Sequence, residues 1–92
     1  MNHNDEYYIE RVLQGDHSSY AMLVERHKEM VFTLAYRMLK NREEAEEISQ
    51  DAFLKAYSSL RKFRKDSKFS TWIYRIVYNM AVSQLRKNKR EI

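Results

Sequence analysis

A chain of 92 residues with no proline and a single glycine, Gly15, has few ways to turn sharply. Tight hairpins and phosphate-cradling loops draw on those two residues, so both are disfavoured and helices are favoured. Apolar residues recur at helical spacing in four segments. Tyr8, Ile9, Val12 and Leu13 mark a short helix over 5–15, stopped by Gly15. Asp16 to Ser19 supply capping side chains for a second helix over 18–40. Its apolar face is Tyr20, Leu23, Val24, His27, Met30, Val31, Leu34, Ala35 and Met38. Asn41 caps a third helix over 42–60, with Glu43 and Glu44 where the helix dipole favours anions. Ala45, Ile48, Ala52, Phe53, Ala56 and Leu60 share one side of it. A polar stretch over 61–69 breaks the period, and Ser70 or Thr71 is placed to cap a last helix over 70–88. Trp72, Ile73, Ile76, Val77, Met80, Ala81 and Leu85 form its apolar face, and fraying is expected from Arg86 onward. The expected fold is all-α: one domain over 1–92, a compact bundle of about four helices.

The charge is unevenly spread. Residues 41–60 carry five carboxylates against two cations, whereas residues 61–92 carry ten Lys and Arg against two carboxylates. Seven of the twelve aromatic residues lie between Phe53 and Tyr78, beside that basic block. Cations interleaved with aromatics raise the expectation of nucleic acid, and of single strands more than duplex. The absence of cysteine excludes disulfides, thiolate metal sites and a Cys nucleophile, and fits a reducing compartment. His3, His17 and His27 have no metal-ligand spacing, so neither metal nor cofactor is expected. No nucleophile-elbow, phosphate-loop or zinc motif occurs, and the clustered carboxylates read as a solvated or docking face, so no catalysis is expected. The opening run MNHNDEYY lacks the apolar stretch of a secretory leader, and no apolar run approaches the roughly 20 residues of a membrane span.

Two helical faces are left unused by the core. On the third helix, Glu43, Glu47, Gln50, Asp51, Leu54 and Ser58 lie opposite the apolar stripe. Leu54, an apolar residue ringed by charge, has the look of a protein-contact patch, although single exposed leucines are common. On the last helix, Arg75, Asn79, Val82 and Arg86 follow i, i+4, i+7, i+11 spacing, with Tyr74 and Tyr78 at one edge. Arginine suits phosphate, asparagine a base edge, and tyrosine the face of an unstacked base. Phe63 and Phe69 read either as further platforms or as plugs sealing the bundle. The residues leave two other functions open: a helix-turn-helix regulator of duplex DNA, and a protein-interaction bundle with an incidental basic face.

Three runs stand in order: DHSSYAMLVERHKEMVFTLAYRML from Asp16, EISQDAF from Glu47, and FRKDSKFSTWIYRIVYN from Phe63. In that order and spacing, Asp16 to Arg90 resembles the second conserved region of extracytoplasmic-function sigma factors of bacterial RNA polymerase. The resemblance implies a sigma region 2-like fold and two surfaces. EISQDAF is similar to the motif that docks on the clamp helices of the polymerase's largest subunit. This makes Glu47, Gln50 and Asp51 core-binding residues, and the helical geometry adds Leu54. The later run resembles the loop and helix that capture a flipped base of the non-template strand of the minus-ten promoter element. Carried over, Phe63, Arg64, Asp66, Ser67 and Lys68 form the loop side of that pocket, Asn79 its helix side and Ser59 its floor, while Arg75 and Arg86 meet phosphates. The family motif often begins with Asp where Glu47 stands, and the loop often carries Gly where Lys65 stands. Trp72 lies on the apolar face and is expected in the core. The resemblance further implies a specificity factor without catalysis, working in the bacterial cytoplasm at the nucleoid, and an anti-sigma factor as another partner. The second helical domain of such factors, which reads the minus-thirty-five element, has no counterpart up to Ile92. The chain is therefore expected to be a fragment or partial product with little promoter affinity of its own.

Overall fold

The computed structural model describes residues 3–64 and 66–90. Four helices run in sequence order: α1 (Asp5–Leu13), α2 (Tyr20–Leu39), α3 (Arg42–Ser58) and α4 (Phe69–Arg90). Short 3-10 turns over His17–Ser19 and Leu60–Lys62 lead into α2 and out of α3. Local chemistry sets most boundaries. The Asn4 side chain accepts a hydrogen bond from the Tyr7 N–H at 3.0 Å and starts α1. Gly15, at φ 106°, makes the left-handed turn that ends it. Asn41 caps α3 by accepting from the Glu44 N–H at 2.9 Å, as its side-chain type predicts. Lys40, between α2 and α3, sits in the left-handed region at φ 54° and donates its N–H to the Tyr36 carbonyl. A residue with a Cβ is strained there.

α2 is the spine. It packs against α3 and α4, which also pack against each other, while α1 lies along α2. Ile9, Leu23, Val31, Ile73 and Val77 are the large side chains most fully enclosed. Ala35, Ala45, Ala52, Ala56 and Ala81 are also fully buried, and their small size lets the helices approach closely. The helical periods of the sequence therefore identify the core-facing stripe of α3 in full.

Four expectations differ. The third helix stops at Ser58 rather than 60, and the 3-10 turn after it tucks Leu60 into the core. The last helix begins at Phe69, with the Trp72 N–H bonded to the Lys68 carbonyl, so Ser70 and Thr71 lie inside its first turn instead of capping it. It continues to Arg90 without the expected fraying. The cause is a polar clasp: Glu44 accepts from Gln84 at 3.0 Å and from Asn88 at 3.1 Å, tying the end of α4 to the start of α3. Leu85, expected on the apolar face, is 39% exposed. His27 is a satisfied polar group in the helical stripe, donating to the Asp5 carboxylate at 2.8 Å, while Arg26 donates to the same carboxylate at 3.1 Å.

Candidate functional site

The outer face of α3 presents Glu47, Gln50, Asp51 and Leu54 together, all exposed, in i, i+3, i+4, i+7 register. Leu54 is 67% exposed, the most of any large apolar residue. Neither Glu47 nor Asp51 forms an ion pair with another described residue, so both charges face solvent. Gln50 and Leu54 also line one wall of a groove of about 900 Å³ between α2 and α3, whose floor and far wall include Val24, Phe32 and Phe53. At one end Tyr20 donates its hydroxyl to the Phe53 carbonyl at 2.6 Å, and burial pushes that hydroxyl's pKa well above the usual phenol range. The apolar patch foreseen around Leu54 is thus larger than one residue, and α2 supplies half of it.

The loop before α4 is anchored by its aromatics. Phe63 and Phe69 are buried, and their rings meet edge to face with centroids 6.1 Å apart. The half-buried Trp72 closes the cluster, 5.1 Å from Phe63 and 5.9 Å from Phe69. Trp72 therefore packs against the core, as expected. Phe63 is a plug whose edge alone reaches the surface. That edge, with Asp66, Ser67 and Lys68, borders a hollow of about 330 Å³. The opposite wall is the start of α1: Asn4, Asp5 and Glu6. Arg64 is exposed outside this hollow. Ser59 does not lie at its floor; it ends α3, its N–H bonded to the Lys55 carbonyl and its own carbonyl accepting from Lys62. Lys65 lies outside the described residues.

Asn79 is placed elsewhere. It lines a second hollow of about 310 Å³ on the outer face of α4 with Tyr74, Arg75 and Tyr78. The single expected pocket is thus two, because the loop folds back toward α1 while Asn79 points outward. Arg75 and Arg86 are exposed and form no ion pair with another described residue. From Phe69 to Arg90 the helix carries five cations and no carboxylate.

The sequence pattern of the Sigma-70 region 2 family matches residues 23–91. The chain belongs to that family. Among sigma factors it is 43% identical over 81 residues to the ECF RNA polymerase sigma factor SigW of Bacillus subtilis, covering 88% of this chain and 43% of that one. It is 40% identical over 81 residues to the ECF RNA polymerase sigma-E factor of Escherichia coli, covering 88% of this chain and 42% of the other. The chain therefore spans under half the length of these relatives. Its fold matches the NMR structure of an engineered region 2 of sigmaE in complex with GTAAAA, with a TM-score of 0.88, 35% identity, and coverage of 100% of this chain and 98% of the other. Sigma region 2 here presents an acidic, apolar-centred face on α3 and an all-cationic helix α4.

Two contributions to this region 2 surface escaped the sequence reading. The α2 wall of the groove, with Val24 and Phe32, was assigned wholly to the core, since both fall within the α2 pattern. The α1 wall of the loop hollow carries no motif, although the acidic first turn after Asn4 marks a helix start that had to face something.

Proposed function

We propose that this region 2 domain acts in transcription initiation by docking on RNA polymerase through α3 and holding the non-template strand of the minus-ten element through the loop and α4. The observation that carries this reading is the whole-chain likeness to an engineered region 2 of sigmaE in complex with GTAAAA. The charge layout supports it. Glu47, Gln50, Asp51 and Leu54 form a polar-rimmed apolar patch suited to a protein partner, here the clamp helices of the polymerase's largest subunit. Arg75 and Arg86 are unpaired cations suited to phosphate, and Asp66, Ser67 and Lys68 surround a hollow that suits a flipped base. Flipping costs a few kcal/mol, offset by stacking and base-edge hydrogen bonds. The domain contributes specificity while the polymerase performs the chemistry, so its place of work is the cytoplasm, at the nucleoid. An anti-sigma factor that covers either face would silence it.

Fluorescence binding to single-stranded oligonucleotides varied at every base of a GTAAAA-like sequence, with a duplex control at matched low salt, tests the DNA half of this reading. A preference for single strands with one or two dominant base positions is expected. Equal, sequence-blind binding to both forms would overturn it. Tighter binding to duplex would favour a major-groove reader instead.

A further inference from the structure

The outer face of α4 carries two tyrosines that the bundle does not use. Tyr74 and Tyr78 are 45% and 47% exposed. Among the described residues, neither ring packs against another aromatic ring and neither hydroxyl is hydrogen-bonded. Their i, i+4 spacing puts them on one face, about 6 Å apart along the helix axis. Two rings sandwiching a flat base lie about 7 Å apart, twice the stacking rise of ~3.4 Å, and side-chain rotation supplies the difference. Each tyrosine is followed by a polar group, Arg75 and Asn79 respectively, and these four side chains line the hollow of about 310 Å³. That volume lies at the lower end of the ~300–1,000 Å³ typical of ligand sites.

The chemistry selects the occupant. Aromatic faces take a flat apolar surface, the unpaired Arg75 takes an anion, and Asn79 takes an edge with both a donor and an acceptor. An unpaired nucleotide offers all three. A base within a duplex does not, because both its faces are already stacked. The cations and absent carboxylates of α4 complement a nucleic-acid strand along the helix.

We propose that Tyr74 and Tyr78 form a slot for one unpaired base of single-stranded DNA, with Asn79 at the base edge and Arg75 at the adjoining phosphate. This rests on the DNA-binding reading above and sharpens it. Asn79 reads its base on α4, apart from the loop hollow, so the strand has two base-binding stations.

The test uses GTAAAA hexanucleotides with 2-aminopurine placed at each adenine in turn, titrated with the chain at low salt. Binding is expected to quench the probe at one position through stacking. Tyr78→Ala should abolish that quenching and weaken the hexanucleotide by roughly 5- to 100-fold, as loss of one base–aromatic stack does. Tyr78→Phe should restore both. Asn79→Ala should relax base preference at the quenched position. A strand that binds the unaltered chain but is indifferent to Tyr78→Ala would overturn the slot and leave the DNA-binding reading intact. So would an Asn79→Ala effect at a different position. Failure of the unaltered chain to bind any single strand would remove both. Both tyrosines are exposed on a helix that favours alanine, so an unchanged melting temperature is expected of Tyr78→Ala and separates lost binding from lost folding.

Discussion

Phe63 discriminates sharply between a DNA contact and a structural plug. Its ring is 9% exposed. Aromatic side chains bury ~150–250 Å² when enclosed, so roughly 20 Å² of Phe63 remains for any ligand. At about 25 cal/mol per Å², that edge contributes about 0.5 kcal/mol to a bound base, below the ~1–3 kcal/mol of a full base stack. Removing the ring from the Phe69–Trp72 cluster should cost far more, about 3–5 kcal/mol for Phe63→Ala. A 92-residue domain has ~5–14 kcal/mol in total, so that variant should be only marginally folded. Phe63→Leu keeps most of the volume and should cost under about 1.5 kcal/mol. Urea denaturation and single-strand binding measured on the same samples decide the matter. The plug requires Phe63→Leu to melt slightly earlier and bind DNA within about threefold of the unaltered chain. A Phe63→Leu chain as stable as the parent but at least tenfold weaker on DNA would refute the argument.

Three further outcomes follow from the geometry. Lys40→Gly should raise stability by up to about 1 kcal/mol, since it relieves the left-handed strain at φ 54° while losing some chain entropy in the unfolded state; an unchanged or lower melting temperature would show that the Lys40 side chain compensates. Asp16 accepts hydrogen bonds from Ser18, Arg11 and Ser19, which hold its carboxyl down at about 2. Its contribution to stability is therefore present above the ordinary carboxylate range near 4 and is lost as pH falls toward about 2, so Asp16→Asn should flatten the acid limb of a stability–pH curve, and identical acid limbs would contradict this. Gln50→Ala with Asp51→Ala should weaken binding to polymerase core at least tenfold without lowering the melting temperature, because both side chains are exposed; unchanged core affinity in the folded double variant would remove α3 from the docking surface.

Much of the α3 face was legible in the sequence, and the reason is local. Along one helix, azimuth follows from residue number, so the buried stripe from Ala45 to Ala56 and the exposure of Glu47, Gln50, Asp51 and Leu54 need no knowledge of the other helices. The same holds for the caps at Asn4 and Asn41 and for the turn at Gly15, where the chemistry lies within a few residues. The basic character of α4 is likewise a property of composition.

What the tertiary structure decided involves residues far apart in the chain. The α2–α3 groove exists because two helices cross with Phe32 and Leu54 on its two walls. The order of α4 out to Arg90 depends on Glu44, 40 residues from Gln84. Phe63, alternating with cations in the sequence, is a plug only because Phe69 and Trp72 close over it. The separation of the loop hollow from Asn79 arises because the loop rests against the start of α1. Periodicity reports which way a side chain points from its own helix; what it meets there is set by how the helices pack.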